Sequence, residues 1–299
     1  MKQRSPTLEG FQTMFRLPSL GLAEIAWRWS FGLAAAVAFA FAVREYLSTL
    51  PVTAGEMPLL RTRQPVLMLQ ALARIFQGSA PRAVAAFLVL TLTLALAWIV
   101  LASLGRAASV KAVTEYFRGP VSSNARFSSL FALNSLRVAI MLAATVGVAG
   151  AVLAAKSVSR PDNPSPGAAV LIFWLLTILI GITCSLLNWY LSLAAVFAVR
   201  EGTPAFPSLI AATDLCRTRS GSLVAAGTWF GIAHVILFVV ASSAVAFPLG
   251  FAEVLPGGMV FGGVLLVTLL YFTAVDFLYV GRLASYVFIT LPKEEATEN

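Results

Sequence analysis

Charge is scarce in this chain. Only 11% of its 299 residues are Asp, Glu, Lys or Arg, while 59% are hydrophobic. Soluble domains carry about 25% charged residues, and so few charges cannot cover a water-facing surface. Histidine is scarcer still. The single His234 excludes an HExxH zinc site and any di-histidine metal cluster built within the chain. The phosphate-cradling GxxxxGK[ST] loop and the GxSxG nucleophile elbow are both missing, and "RSGS" (219–222) has no candidate base nearby in sequence. Aspartate occurs at three positions, 162, 214 and 276, and only Asp276 falls inside an apolar run. An intramembrane aspartate dyad would therefore lack its second member. Two cysteines, Cys184 in an apolar run and Cys216 in a polar stretch, form no CxxC and no disulfide framework. These absences point away from an enzyme, and nothing in the sequence asks for a metal or cofactor.

What is present is a set of six long apolar runs, at roughly 25–47, 83–104, 129–153, 168–198, 221–250 and 258–288. Each reaches the ~20 helical residues that cross a ~30 Å hydrocarbon layer. The runs show no alternation of apolar and polar residues, and an isolated strand in lipid leaves its backbone unpaired. The expected fold is all-α: one polytopic membrane domain over 1–299, with six transmembrane helices and short interfacial helices. The residues before the first run include Pro18 and Glu24, too long and mixed a segment for a simple signal peptide, so the run is expected to remain as an anchor.

The net charge of +8 does not indicate nucleic acid, because the basic residues are scattered between apolar runs and form no stripe. Cationic loops beside an anionic leaflet account for it better. With the N-terminus placed inside, the inside segments hold 13 basic residues: Lys2, Arg4, Arg16, Arg28, Arg106, Lys111, Arg118, Arg126, Arg200, Arg217, Arg219, Arg282 and Lys293. The outside segments hold seven: Arg44, Arg61, Arg63, Arg74, Arg82, Lys156 and Arg160, with Arg137 inside the third run. The positive-inside rule then favours both termini on the cytoplasmic side, against the pull of the five outside cations between the first two runs.

Shorter features have their own readings. "FQTMFRLPSLGL" (11–22) places Phe11, Phe15 and Leu22 near one face, broken by Pro18, as an interfacial elbow would. "QPVLMLQALARIFQG" (64–78) spaces Val66, Leu69, Leu72, Ala73 and Phe76 as one helical face with Arg74 elsewhere. "KSVSRPDNPSPG" (156–167) reads as an exposed turn region and "KEEATEN" (293–299) as a frayed tail. Gly227–Gly231 and Gly258–Gly262 have GxxxG spacing and are expected to receive another helix. "GRAAS" (105–109) and "GRLAS" (281–285) end two runs, with Gly for close approach and Arg106 and Arg282 snorkelling to the interface. The fourth run is over-long, so a strong tilt or a break near Gly181 or Asn188 is expected. Asn188 is placed to cross-link helices.

The candidate polar site is Asp276, Arg28, Arg137, His234 and Arg282. A carboxylate within a span costs about 2.5–3.5 kcal/mol even on the lenient scale, so it marks either a structural pair or a working group. Arg282 is six residues from Asp276 and about 240° around the wheel, which makes a salt bridge within one helix awkward. Asp276 is expected to face Arg28 or Arg137 on another helix. If the sixth span starts at Met259, Asp276 lies about 26 Å along it, near the inner boundary; a start near Val264 gives about 18 Å. His234, about 18 Å along the fifth span, is expected to be neutral and bonded to a Ser, Thr or Asn. A proton relay would need a carboxylate level with it. Glu24 and Arg28 have pairing i, i+4 spacing.

The stretch "AVFAVREGTPAFPSLIAATDLCRTRSGSLVAAG" (195–227) closes a span, passes an acidic–Gly pair and a short helix, and leads through basic residues into another span. It resembles the six-helix bacterial membrane proteins grouped with the membrane domain of glycerophosphoryl diester phosphodiesterases and related uncharacterised families. Glu201, Gly202, Leu209, Ala212, Leu215 and Arg217 carry the resemblance, which covers about a tenth of the chain. It implies a six-helix bundle without catalytic residues. Read physically, Thr203 and Pro204 supply an N-cap and first turn, Leu209, Ala212 and Leu215 an apolar face, and Arg217 and Arg219 a headgroup-level charge. The expected role is a non-catalytic scaffold or assembly partner, interacting with membrane lipids and other membrane proteins. The alternative is a carrier for a small solute or lipid, using Asp276 with Arg28 or Arg137.

Overall fold

Runs of Leu, Ala, Val and Phe in lipid must satisfy their backbone within the segment, and helices do so. In the computed structural model, which describes residues 5–50, 58, 64–76, 78–118, 126–159 and 165–291, the long runs are all helical and no strand occurs among the described residues. The helices are α1 (Pro6–Arg16), α2 (Pro18–Ser48), α3 (Pro65–Phe76), α4 (Ala80–Arg118), α5 (Phe127–Val158), α6 (Pro166–Arg200), α7 (Ala205–Thr218), α8 (Ser220–Gly250) and α9 (Gly257–Thr290). Six of them, α2, α4, α5, α6, α8 and α9, are long and apolar enough to cross a membrane. The protein is an all-α, multi-pass membrane protein. Proline opens α1, α2, α3 and α6, where its fixed φ suits the first turn and its missing N–H is not needed.

The helices run past the apolar windows. The second run was expected to end at 104, yet α4 continues to Arg118, because Val110 and Val113 on the extension are fully buried. α6 is unbroken through Gly181 and Asn188. Its 35 residues measure about 52 Å, which exceeds a ~30 Å hydrocarbon layer. The surplus is therefore not taken up by a break at either residue. Between α6 and α7 the chain turns at Gly202, whose φ of 63° is the left-handed region that glycine tolerates. Pro204 takes the N-cap position and Ala205 the first helical one, so the helix starts one residue later than expected. The Thr203 hydroxyl bonds that of Ser208 at 2.7 Å instead of capping. The 156–167 turn region is described only in part: α5 reaches Val158, α6 starts at Pro166, and 160–164 lie outside the described residues, as does the 293–299 tail.

The chain divides into two compact units, Met1–Ala26 with Leu101–Asn299, and Trp27–Val100. The first has its core where α4, α6 and α9 finish and α5 and α8 begin. There Val113, Leu130, Leu193, Val196, Leu223, Ala284 and Val287 are almost wholly buried. α7 lies on this core through Ala212 and Leu215. α1 docks on α9. A Cβ on Gly281 would lie 3.1 Å from the Gly10 carbonyl oxygen, so two glycines let these backbones touch. Phe11 stacks on Phe230 with centroids 4.3 Å apart, whereas Phe15 and Leu22 are exposed, so the expected three-residue face is divided. The remaining lengths of α5, α6, α8 and α9 bury almost nothing.

In the second unit, Trp98 meets Trp27 at 5.3 Å and Phe31 at 5.1 Å between centroids. The Tyr46 and Ser79 hydroxyls share a 2.8 Å hydrogen bond, and Tyr46 also stacks near Phe76. α3 forms as expected, but its buried side chains are Ala71 and Ile75, while Ala73, Arg74 and Phe76 are exposed. The side chains of Val66, Leu69 and Leu72 lie outside the described ones.

Candidate functional site

Arg106, Arg137 and Glu24 of the first unit are drawn into its packed region. Arg106, on the extension of α4, is 9% exposed and does not snorkel outward as expected. Its Nη1 points at Ser192 Oγ on α6 at 3.5 Å, and its guanidinium lies 5.4 Å from the Tyr279 ring centroid on α9, within cation–π range. Arg137 on α5 donates from Nη2 to the same Ser192 Oγ at 3.2 Å and from Nη1 to Asn134 Oδ1 at 3.2 Å. Asn134 Nδ2 donates onward to Ser103 Oγ at 2.9 Å. The Ser192 hydroxyl itself donates to the Asn188 carbonyl oxygen of its own helix at 2.8 Å. Glu24, 1% exposed, accepts a hydrogen bond from the Ser109 hydroxyl on α4. Four helices of the unit are thereby joined by polar side chains within a packed region.

Asp276 sits in α9 at 6% exposure. It is three residues before Tyr279, hence on the helix face that presents Tyr279 to Arg106. α9 starts at Gly257, and Asp276 lies about 28 Å along the helix. Arg282 follows on α9, half-buried. Arg28 belongs to the second unit, where its guanidinium lies 5.3 Å from the Trp27 ring centroid. His234 is exposed on α8 and stands apart from the polar layer. Its Nε2 is 3.4 Å from Tyr271 Oη on α9, a tyrosine rather than the Ser, Thr or Asn expected. Tyr271 precedes Asp276 by five residues, an axial offset of about 7.5 Å, so imidazole and carboxylate are not level as a relay requires.

A second set of arginines closes the end of α9. Arg200 Nη1 donates to the Thr290 carbonyl oxygen at 2.6 Å, and Arg219 Nη1 donates to the carbonyls of Ile289 and, at 3.0 Å, Leu291. The last carbonyls of a helix have no partner within it, and cations complement the negative end of its dipole. Arg219 thus caps α9, while Arg217 is exposed.

The hydroxyls along the apolar runs offer little to a passing solute. Thr145 donates to the Met141 carbonyl, Thr183 to Leu179, Thr268 to Val264 and Thr273 to Leu269, all four residues back and at 2.8–3.0 Å. Asn188 was expected to link helices, but its buried Oδ1 has no hydrogen-bond partner among the described residues. Trp189 and Tyr190 pack inward against the core, and the Tyr190 hydroxyl meets the Leu209 carbonyl and Thr213 of α7. Both cysteines are free thiols. Among the described residues no helix is received closely by either GxxxG pair: a Cβ on Gly231, Gly258 or Gly262 would meet nothing within 4 Å, and on Gly227 only Trp189 Nε1 at 4.0 Å. A third feature is an open apolar groove of about 770 Å³ between α1 with Pro18 on one side and α8 and α9 on the other, which none of the candidate polar residues lines. Among the described residues no three His, Cys, Asp or Glu side chains are grouped to hold a metal ion.

Sequence reasoning singled out Asp276, Arg137 and Glu24 but missed Arg106, Ser192, Asn134 and Ser103. Their signal was available as spacing: Ser103, Arg106 and Ser109 recur every three residues on α4, a polar stripe continuous with the buried Val110 and Val113. No protein-family model, curated protein or solved structure matches this chain.

Proposed function

We propose that this is a bacterial inner membrane protein with both termini cytoplasmic, acting as a non-catalytic scaffold or assembly partner for other membrane components. One observation carries the reading: Arg106, Arg137, Asn134, Ser103 and Ser192 bond to one another, Arg200 bonds a helix end, and none of them lines the groove. A carrier needs polar groups exposed along a path, whereas these bind helices together. The resemblance of residues 195–227 to six-helix bacterial membrane proteins without catalytic residues agrees with this role. The end of the first unit that holds Arg106, Arg200 and Arg219 is then the cytoplasmic one, as the positive-inside rule asks.

The carrier for a small solute or lipid, using Asp276 with Arg28 or Arg137, is the second reading, and the burial of Asp276 in a spanning helix favours it. Vesicle flux separates the two. A scaffold gives reconstituted vesicles no flux above protein-free ones, and a stoichiometric membrane partner survives mild purification. A flux that Asp276→Asn abolishes while thermal unfolding stays unchanged overturns the scaffold. For topology, Ala73→Cys in a Cys184→Ser, Cys216→Ser background reports the exposed side of α3. A membrane-impermeant maleimide is expected to label it in intact cells, and absence of label with full labelling after lysis overturns the orientation.

A further inference from the structure

Tyr286, near the end of α9, is 1% exposed, and its Oη has no hydrogen-bond partner among the described residues. Leaving a buried hydroxyl unbonded is costly, so such a group calls for an oxygen. The polar groups that bear on it are the Trp189 indole of α6, the Arg282 guanidinium one turn back on α9 and the Cys216 thiol of α7. Indole and guanidinium only donate, and a thiol accepts weakly. The phenol proton therefore has no acceptor beside it. Asn188 Oδ1, a buried acceptor on the residue before Trp189, is out of reach, since it has no partner either.

This cluster of donors has an open side. Trp189 and Arg282 are half-buried. A Cβ on Gly227 of α8 would meet only Trp189 Nε1, at 4.0 Å, so an oxygen has room beside that N–H. Arg282 makes no ion pair and no hydrogen bond among the described residues. Asp276 lies about 240° around α9 from Arg282, and Asp214 about 200° around α7 from Cys216, so neither acid shares the face of the cluster. A water would satisfy the Tyr286 hydroxyl and leave the guanidinium charge without a counter-ion. An oxyanion satisfies both. Tyr286 is four residues from the end of α9 and Gly227 seven from the start of α8, ~6 and ~10 Å at helical rise. The same helix ends carry Arg200, Arg217 and Arg219. The oxyanion that a bilayer presents to cations at the ends of its spans is phosphate.

We propose that Trp189, Arg282 and Tyr286 form a binding site for one phosphate group, carried by a phospholipid or free in solution. The site holds for a scaffold or a carrier. The experiment is the thermal midpoint of the delipidated full chain in detergent, titrated separately with three probes: dioleoyl phosphatidylglycerol, dioleoylglycerol (the same chains without phosphate) and inorganic phosphate. Phosphatidylglycerol is expected to raise the midpoint and dioleoylglycerol to leave it unchanged. A rise with the lipid alone makes its headgroup the source, and a rise with inorganic phosphate as well makes it the free ion. Tyr286→Phe and Trp189→Phe each delete one donor and keep an aromatic ring, and Arg282→Gln deletes the charge. Each is expected to raise the concentration that gives half the shift about tenfold. Without any probe, Tyr286→Phe is expected to unfold at or above the wild-type midpoint, because it removes an unsatisfied group. Equal shifts with phosphatidylglycerol and dioleoylglycerol overturn the proposal, as does no shift with either phosphate. So does a half-shift concentration unchanged in folded Tyr286→Phe and Arg282→Gln. A lowered midpoint of probe-free Tyr286→Phe also overturns it, since the hydroxyl is then bonded within the chain.

Discussion

Arg106 and Arg137, on different helices, direct their guanidinium groups at the one hydroxyl of Ser192, at 3.5 and 3.2 Å. A single neutral oxygen thus gathers α4, α5 and α6, and Tyr279 adds α9 through its ring face. Few residues in the unit hold so many helices through so small a group.

Removing that oxygen tests the arrangement. Ser192→Ala leaves donors of both arginines without this acceptor in a buried setting, at a cost of about 1–3 kcal/mol. The expected outcome is a lowered thermal midpoint in detergent, with Ser192→Thr restoring most of it. A Ser192→Ala midpoint equal to wild type would show the layer to be energetically idle.

Gly10 is the second test. A Cβ there overlaps the Ser285 hydroxyl and lies 2.5 Å from the Gly281 carbonyl oxygen, a backbone atom that cannot rotate away. Gly10→Val is expected to cost about 1–3 kcal/mol and to lift α1 from α9. Limited proteolysis reads this directly: cleavage within residues 6–17 rises severalfold while the rest of the chain stays resistant.

The arginine cap on α9 makes a local prediction rather than a global one. Arg219→Gln loses charge-assisted hydrogen bonds to the Ile289 and Leu291 carbonyls, worth about 1.5–3 kcal/mol each way they are counted. Hydrogen exchange of a peptide covering 283–291 is expected to accelerate about tenfold or more, with peptides from 262–275 unchanged.

Cys216, on the short helix α7, has its thiol pKa pushed up by burial. Less thiolate is present at neutral pH than for an ordinary cysteine, so alkylation is slower. In a Cys184→Ser background, the iodoacetamide rate at pH 7.5 is expected to fall below that of the denatured chain. It should keep rising with pH after the denatured chain has reached its plateau. Equal rates at every pH contradict the burial effect.

The long elements were legible because their signal is collective: twenty apolar residues in a row leave helix as the only solution in lipid. α3 and α7 were legible too, through apolar spacing between turn residues. The helix ends were not, since charge stops an apolar window without stopping a helix, and α4 continues through Arg106, Lys111 and Arg118. Arg106 was misread for the same reason. An arginine at a span end snorkels when lipid surrounds it, but here Val110, Val113 and the core of α6 surround it, and a hydroxyl and an aromatic ring receive it. Asp276, read from the sequence as an intramembrane carboxylate, is 6% exposed within α9. The GxxxG pairs misled because spacing says that a backbone can be approached closely, not that this chain supplies the approaching helix.

In the first unit, nearly all tight packing lies in the last turns of α6 and α9 and the first turns of α5 and α8, while the opposite halves bury almost no side chains. Cohesion and lipid contact are thus assigned to different stretches of the same helices. A substitution in the bound stretches therefore acts on how the helices hold one another, and one in the exposed stretches acts on what surrounds them.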